Sequence, residues 1–386
     1  MNLKTPSARY ADLTGARVAD LHEHHLPGRV RFTWNARGAL FQLLKELPRC
    51  DRGTVLVPAY HCMALIQPIV AAGFEIGCYR IRPDLTVDHA DLAEQMGPHV
   101  AAVLVIHYFG FPADLDDIVQ LTQRQGALMI EDCSHSFLTR DLDMPLGRRG
   151  NYAIYSYYKC APSVVGGALV ANGDAPLPAT PVSRAPWPAR LTVLRRWIKQ
   201  ADERNPVWAM QLGQRALAAL TRFGFDGYAG RKRLAPGFLD EPYLFDPALA
   251  SAGLPPWVRR IIEGADWNAI ARARRRHYTA LCSLLQDTEV VHRPIPTLPE
   301  GVVPYMFPVL FRNRIHHEAA LRAAGIPFLR FGETLHGALA AASEGARADA
   351  EALSRSLLLL PVHQDVDVPI LERFAARLKD YAARHG

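Results

Sequence analysis

Residues 100–132, VAAVLVIHYFGFPADLDDIVQLTQRQGALMIED, contain two apolar runs separated by an amphipathic segment. The first run, VAAVLVIHYFG, and the last, GALMIED, are continuous rather than alternating, which is typical of strands covered on both faces. Between them, Leu115, Ile118 and Leu121 recur at helical spacing. Acidic residues occupy the first turn of this segment, and Gly126 ends it. The stretch therefore predicts a strand–helix–strand unit of a mostly parallel α/β sheet.

The same alternation extends over residues 30–172. Further strands are predicted at residues 54–60, 74–81, 152–158 and 167–172. Strands and helices that alternate in this way predict one large domain with a mostly parallel sheet covered by helices.

The second half of the chain has a different pattern. Residues 173–190 carry five prolines and predict a linker or an extended surface segment, and residues 191–240 are helical in pattern and rich in arginine. From about residue 250, a long helix, a strand and two more helices predict a small α+β domain. We therefore expect a large domain over residues 1–245, with an atypical Pro/Arg-rich segment at 173–245, and a small C-terminal domain over 246–386.

The composition is that of an ordinary globular protein. Of the 386 residues, 49% are hydrophobic and 21% are charged, with 44 lysines and arginines against 38 acids. The resulting net charge of +6 fits an anionic small-molecule substrate, and no zinc-finger spacing, RNA-binding aromatic motif or long basic run favours nucleic acid. The six cysteines form no C-x-x-C pair, which is typical of a reducing compartment. Because no signal-peptide pattern or membrane-length apolar run is evident, we expect a soluble cytoplasmic protein.

Chemistry-bearing side chains follow several predicted strands. Ligands of parallel sheets bind beyond the carboxyl ends of the strands, so these positions are the candidate site. They carry Tyr60, His61, Cys62, His107, Tyr108, Glu131, Asp132, Ser134, His135, Ser156 and Lys159. The set supplies acids, hydroxyls, imidazoles and an amine at one edge of the sheet.

Common motifs for other chemistries are missing from the sequence. There is no G-x-G-x-x-G after the first strand, no G-x-x-x-x-G-K-[ST] and no G-x-S-x-G elbow. The HEHH sequence at residues 22–25 is not H-E-x-x-H, and no metal site is predicted. Dinucleotide binding, ATP binding through a P-loop and serine hydrolysis are therefore disfavoured.

A lysine, an aspartate and a helix start together suggest pyridoxal phosphate. This cofactor needs an amine for its Schiff base, a carboxylate at its pyridine nitrogen and N–H groups at its phosphate. Lys159 ends the run YAIYSYY, and Asp132 ends GALMIED. In TWNARGALFQLL, Asn35 is a helix cap, so that the amides of Arg37 and Gly38 open the helix.

Several stretches, in order, resemble one family. They are NARGAL, VLVPAYHC, IHYFGFPADLDDI, IEDCSH, YSYYKCAPSVVGGALV and, near the end, LLLLPVHQDV. These stretches resemble the DegT/DnrJ/EryC1/StrS family of pyridoxal-phosphate-dependent sugar aminotransferases. The resemblance covers roughly residues 30–172 and 250–380. It implies the aspartate-aminotransferase-like fold, with a seven-stranded type of sheet, and a homodimer.

The resemblance also implies a role for individual residues. Lys159 would bind the cofactor covalently and carry a proton, and Asp132 would pair with the pyridine nitrogen. Ser156 and the amides near Arg37 and Gly38 would hold the phosphate. His135 takes the place of a glutamine near the ring oxygen.

The sequence departs from the family pattern at three places. The spacing from Ser156 to Lys159 is three residues, which is shorter than the usual family pattern. Cys62 stands where the family often has an aromatic ring stacked on the cofactor, so another side chain must cover that face. GYAGRKR (227–233) only loosely matches a family stretch whose asparagine reaches the neighbouring subunit's cofactor. From charge alone, Arg231, Lys232 and Arg233 are candidates to hold a substrate diphosphate.

The function expected from these observations is transamination. An amino-acid donor such as glutamate would supply the amino group, and a keto group of a nucleotide-linked sugar would receive it. One alternative keeps the cofactor but uses a non-sugar substrate or a dehydration; the family's dehydratases have histidine in place of the lysine. A second alternative is a non-catalytic binding or regulatory protein with the same fold.

Overall fold

A seven-stranded sheet and a three-stranded sheet organise the chain. The computed structural model describes residues 26–47, 53–202, 245–312 and 314–385. The strands in these residues are β1 Arg29–Thr33, β2 Thr54–Pro58, β3 Glu75–Tyr79, β4 Val100–Ile106, β5 Leu128–Asp132, β6 Arg140–Asp141, β7 Met144–Pro145, β8 Tyr152–Ser156, β9 Gly167–Ala171, β10 Val291–His292, β11 Met306–Phe311 and β12 Leu357–Pro361.

Helices cover both sheets. They are α1 Ala36–Glu46, α2 Met63–Ala72, α3 His89–Gln95, α4 Asp116–Gln125, α5 Trp187–Asp202, α6 Pro247–Ala250, α7 Pro256–Glu263, α8 Trp267–Leu284, α9 Arg314–Ala323, α10 Glu344–Ser356 and α11 Val368–His385. Short 3₁₀ turns lie at Tyr108–Gly110, Tyr157–Lys159 and Gly337–Ala341. Among the described residues, no helix is both long and apolar enough to cross a bilayer.

The large sheet has the order β1-β9-β8-β5-β4-β2-β3. Its pairs β2–β3, β2–β4, β4–β5 and β5–β8 are parallel, whereas β9 is antiparallel to both β8 and β1. The predicted α/β class, with a mostly parallel seven-stranded sheet and a small C-terminal α+β part, is therefore confirmed. Sequence patterning did not single out β1 because its residues RVRFT include no long apolar run.

The segment that predicted the fold has the expected structure. All seven residues of β4 are buried, as a strand with helices on both faces requires. Helix α4 has Asp116 and Asp117 in its first turn, and it buries Ile118 and Thr122. Gly126 ends it with a φ of 61°, a conformation that glycine adopts without strain.

The C-terminal part contains the antiparallel sheet β10-β11-β12. Before it, Ala252, Val258 and Trp267 belong to the same hydrophobic cluster as Tyr155 of β8 and Ala168 of β9. Residues just beyond 245 thus pack against the large sheet, and the domain division at 245/246 remains a prediction.

The proline-rich segment is irregular up to helix α5. Helix α5 begins at Trp187 with Pro188 in its first turn, where the missing N–H of proline costs no helical hydrogen bond. The predicted helical segment 191–240 is described only as far as residue 202. The HEHH sequence, the GYAGRKR stretch and its cations Arg231, Lys232 and Arg233 lie outside the described residues.

Candidate active site

A pocket lies where the carboxyl ends of β5 and β8 meet the start of helix α1. Of the predicted site residues, Arg37, Asp132, Ser156 and Lys159 line this pocket. The amine, the carboxylate, the serine hydroxyl and the helix start thus converge, although they come from three separate parts of the sequence. Asn35, Ala36, Leu40, Cys62, Leu65, Ser134, Ile154 and Tyr158 also line it.

The start of helix α1 forms one wall of the pocket. The Asn35 side chain caps the helix, its Oδ1 accepting the N–H of Gly38 at 2.8 Å. The N–H groups of Ala36 and Arg37 belong to the first turn, which has no intrahelical acceptors. Gly38 does not line the pocket, and a Cβ there would lie 2.9 Å from the Ala250 oxygen. Ala36 and Arg37 therefore line the pocket at the helix start, whereas the N–H of Gly38 donates to the cap.

The glycine pair after Lys159 lets the chain approach this helix start closely. A Cβ on Gly167 would lie 2.3 Å from the Asn35 carbonyl carbon and 2.5 Å from the Ala36 nitrogen. Gly166 has a φ of +135°, which side chains rarely allow, and its N–H donates to the Trp34 oxygen at 2.9 Å. The two glycines therefore allow β9 to pack closely against the first turn of α1, which forms one wall of the pocket.

Lys159 ends a short 3₁₀ turn directly after β8. Strand β8 ends at the buried Ser156, and the turn Tyr157–Lys159 follows it. The Lys159 Nζ lies 5.7 Å from the centroid of the Tyr305 ring. Lys159 is half-buried, and its amine faces an aromatic ring from the C-terminal part of the chain.

Asp132 and Glu131 end strand β5 and have different surroundings. Asp132 lines the pocket, and its Oδ1 accepts the N–H of Ser134 at 2.8 Å. Glu131 is fully buried and accepts the N–H groups of Gly147, Arg149 and Gly150 at 3.1, 2.8 and 2.6 Å. Its carboxylate therefore holds the 147–150 loop in place.

His107 completes the Glu131 network. The His107 Nδ1 accepts the N–H of Ala113 at 3.0 Å, so Nε2 carries the proton and donates to Glu131 at 2.9 Å. Burial opposes ionisation of Glu131, but the hydrogen bonds from His107 and the loop N–H groups outweigh it and lower its pKa. His107, Glu131 and Cys133 lie close enough to bind an ion. Because both His107 nitrogens and the Glu131 carboxylate are engaged, this cluster stabilises the fold instead.

His135 lies beside the pocket and does not line it. Its ring is parallel to that of Tyr305, with centroids 4.7 Å apart, and it also stacks on Phe109. Its Nδ1 accepts the N–H of Phe109 at 3.4 Å, so the neutral ring carries its proton on Nε2. Burial and the charge of Lys159 hold the pKa of His135 well below its ordinary value.

Cys62 and its neighbour His61 have separate roles. Cys62 lines the pocket, and burial raises the pKa of its thiol. His61 is fully buried; its Nε2 accepts the N–H of His336 at 3.1 Å, and its Nδ1 donates to the Pro58 oxygen at 2.8 Å. Burial lowers the pKa of His61 to about 4. His61 is therefore a neutral packing residue, and the thiol is the group that faces the pocket.

Sequence patterning did not identify three residues near the amine. Tyr158 lines the pocket, Tyr305 faces Lys159, and Arg274 donates to the Lys159 carbonyl oxygen at 3.0 Å. Tyr158 lies next to Lys159, so its position in the sequence could have indicated it. Tyr305 and Arg274 follow Lys159 by more than a hundred positions, and no local pattern reports such contacts.

A protein-family comparison covers the part of the chain that builds this pocket. The model of the DegT/DnrJ/EryC1/StrS aminotransferase family matches residues 28–177. Over this segment the chain is similar to that aminotransferase family. The match includes all six residues predicted for the site: Arg37, Gly38, Asp132, His135, Ser156 and Lys159. The match confirms the resemblance noted in the sequence. It also confirms the expectation that the family is one of aminotransferases.

Solved structures with the same fold include several aminotransferases. The aminotransferase TlmJ from Streptoalloteichus hindustanus is 20% identical, with 100% of each chain covered and a TM-score of 0.68. PseC from Helicobacter pylori, an aminotransferase involved in the biosynthesis of pseudoaminic acid, is 11% identical, with 99% of each chain covered and a TM-score of 0.68. The sugar aminotransferase CalS13 from Micromonospora echinospora is 19% identical, covering 91% of this chain and 87% of its own, with a TM-score of 0.60. At these identities the likeness establishes the fold.

Proposed function

We propose that the protein is a pyridoxal-phosphate-dependent aminotransferase that moves an amino group from an amino-acid donor, such as glutamate, to a keto group of a nucleotide-linked sugar. The observation that carries this proposal is the convergence of Lys159, Asp132, Ser156 and the first turn of α1 on one pocket. The family that residues 28–177 match, and the sugar aminotransferase among the similar folds, support the reaction and the substrate class.

The donor groups of the pocket fit the cofactor. The amides of Ala36 and Arg37 and the hydroxyl of Ser156 would hold its phosphate, because the start of a helix favours anions. The close approach that Gly167 permits is needed for this wall, since a side chain there would displace the helix start. Asp132 would bind the protonated pyridine nitrogen, and a neutral His135 can donate from Nε2 to the ring oxygen.

When bound, pyridoxal phosphate supplies an aldehyde for reversible attachment to amines and a ring that withdraws electrons. The chain supplies the rest. The Lys159 amine would bind the aldehyde and, once released, would accept and return a proton of the substrate. The Asp132 carboxylate would hold the pyridine nitrogen, and the apolar walls at Leu40, Leu65 and Ile154 would exclude water.

The face of the ring that many relatives cover with an aromatic side chain would contact Cys62 here. A thiol is polarizable and packs against apolar groups but cannot stack as an aromatic ring does. We propose that the Tyr305 ring, which lies 5.7 Å from Nζ, closes the site near the amine instead. The homodimer implied by the resemblance and the cytoplasmic location predicted from the sequence are part of the same proposal.

The decisive experiment locates the covalent linkage. The purified protein is incubated with pyridoxal phosphate, reduced with borohydride and digested, and the peptides are analysed by mass spectrometry. We expect one pyridoxyl group on Lys159, none in Lys159→Ala, and normal labelling in Lys45→Ala, which removes an exposed lysine from α1. A label on another residue, or none, would refute the proposal.

The donor and acceptor are tested separately. Glutamate alone should convert the yellow protein to the pyridoxamine form, and keto-sugars linked to nucleotides should then restore the yellow form. Failure of the glutamate step would favour a dehydratase or a non-catalytic protein.

A non-sugar ketone is the second candidate acceptor. The apolar walls of the pocket, formed by Leu40, Leu65 and Ile154, favour it. Restoration of the yellow form by simple cyclic ketones, and not by nucleotide keto-sugars, would select this substrate class.

A further inference from the structure

Arg274 is a fully buried arginine of helix α8 that contacts the main chain on both sides of the reactive amine. Its Nη2 donates to the Lys159 carbonyl oxygen at 3.0 Å. Its Nη1 donates to the carbonyl oxygens of Tyr305 at 3.0 Å and Pro304 at 3.2 Å. One planar guanidinium thus links the lysine to the residue whose ring faces the lysine's amine.

The surroundings of Arg274 differ from those of an ordinary buried arginine. Within the described residues, the hydrogen bonds of its guanidinium go to main-chain oxygens, and its buried Nε has no hydrogen-bond partner. A buried charge without a carboxylate partner is costly to the fold. Packing alone would be served better by an apolar side chain, so the cost points to a role for these three hydrogen bonds.

A second side chain from the C-terminal part holds the next residue of the same turn. Gln364 donates from Nε2 to the Cys160 carbonyl oxygen at 3.0 Å. Within the turn, the N–H groups of Cys160 and Ala161 donate to the Tyr157 oxygen. The main chain of Tyr305 is also held in place, because its N–H donates to the Phe109 oxygen at 2.7 Å. The lysine turn is therefore anchored to α8 and to the segment after β12.

We infer that Arg274 is a positioning residue that sets the orientation of Lys159 relative to Tyr305 and so links the C-terminal part of the chain to the reactive amine. The inference deepens the proposed function and rests on it. Arginine suits this task because its rigid fork can donate to three oxygens at fixed angles, whereas a lysine at the same position could not.

The test separates the placement of the amine from the formation of the pocket. Pyridoxine 5′-phosphate has no aldehyde, so its affinity reports noncovalent binding alone. The rate at which borohydride-trapped pyridoxal phosphate labels Lys159 reports the amine. In Arg274→Met we expect labelling to slow by about tenfold or more, because a small displacement of a reacting group has a large effect on rate. The affinity for pyridoxine 5′-phosphate should stay within about threefold of the wild type, since Arg274 is not among the residues lining the pocket.

Arg275 provides a matched control. It lies next to Arg274 on α8 and donates to the carbonyl oxygens of Pro299 and Val302 at 3.0 and 2.5 Å, without contacting the lysine turn. Arg275→Met should label at the wild-type rate. In the cofactor-free protein, hydrogen exchange of the peptide covering residues 157–166 should quicken in Arg274→Met but not in Arg275→Met.

Arg274→Lys keeps the charge and some of the donors, and it decides the question if Arg274→Met does not fold. We expect an intermediate labelling rate and intermediate exchange in 157–166. Wild-type labelling in Arg274→Lys and Arg274→Met, or an equal loss of labelling and of pyridoxine 5′-phosphate affinity, would overturn the inference. If the wild type itself is not labelled at Lys159, the proposed function fails. This outcome differs from those that overturn the inference on Arg274, in which the wild type is labelled.

Discussion

Glu131 and Asp132 are consecutive residues of one strand, but their carboxylates have opposite tasks. Glu131 is enclosed and accepts hydrogen bonds from His107 and three loop N–H groups. Asp132 lines the pocket and accepts the N–H of Ser134. Alternation along a strand sends neighbouring side chains to opposite sides, so one position can stabilise the fold while the next remains available to a ligand.

The largest effect should be on activity and should come from Asp132, the carboxylate that lines the pocket. Asp132→Asn should lower transamination by about 100-fold or more, because the ring nitrogen loses its anionic partner. The free energy of unfolding should change little, since the Asn oxygen can still accept the N–H of Ser134. Steady-state kinetics and urea denaturation measure the two quantities. Full activity in this variant would remove Asp132 from the proposed site.

Glu131→Gln should show the reverse pattern. The amide replaces a carboxylate that serves four donors, and we expect the free energy of unfolding to fall by about 3 kcal/mol, as when a buried ionic network is broken. The remaining folded protein should retain cofactor affinity within a few-fold. Glu94→Gln, an exposed substitution on α3, is the control in the same urea experiment. Equal stability of the two variants would contradict a structural role for Glu131.

Sequence patterning predicted the residues that line the pocket better than the hydrogen bonds that hold those residues in place. Continuous apolar runs identified the buried strands, and the residues at their carboxyl ends included Asp132 and Lys159. The same patterning selected the amide of Gly38, which the Asn35 cap engages, because spacing does not show which N–H the cap takes. It did not identify Arg274, whose contact with Lys159 joins residues 115 positions apart. Contacts of that kind depend on the packing of the C-terminal part against the sheet.

Gly167→Ala tests how closely the start of β9 must approach helix α1. The new Cβ would overlap the Asn35 and Ala36 main chain, so we expect the free energy of unfolding to fall by about 1–3 kcal/mol. The affinity for pyridoxine 5′-phosphate should fall in parallel, because the displaced amides belong to the proposed phosphate site. Gly53→Ala is the matched control, since its Cβ would meet nothing within 4 Å. Unchanged affinity in Gly167→Ala would show that the close contact between β9 and α1 is not needed for ligand binding.

The last effect depends on pH and comes from His61. His61 has a pKa lowered to about 4 in the folded protein, so the unfolded chain binds a proton more readily between its ordinary value of 6.5 and pH 4. Folding stability is therefore lost as pH falls through this window, by up to about 1.4 kcal/mol per pH unit for one proton. His61→Gln should make this pH dependence shallower by about one proton. Urea titrations at pH 4.5 to 7 measure it, and identical slopes would contradict a neutral buried His61.

The sheet order β1-β9-β8-β5 has a thermodynamic consequence. These four adjacent strands carry the helix start, the glycine pair, the lysine turn and Asp132. A molecule bound in the pocket would cross-link all four and would bind only when they are assembled. Its binding free energy would therefore be added to the stability of this half of the sheet, and the melting temperature should rise with ligand concentration.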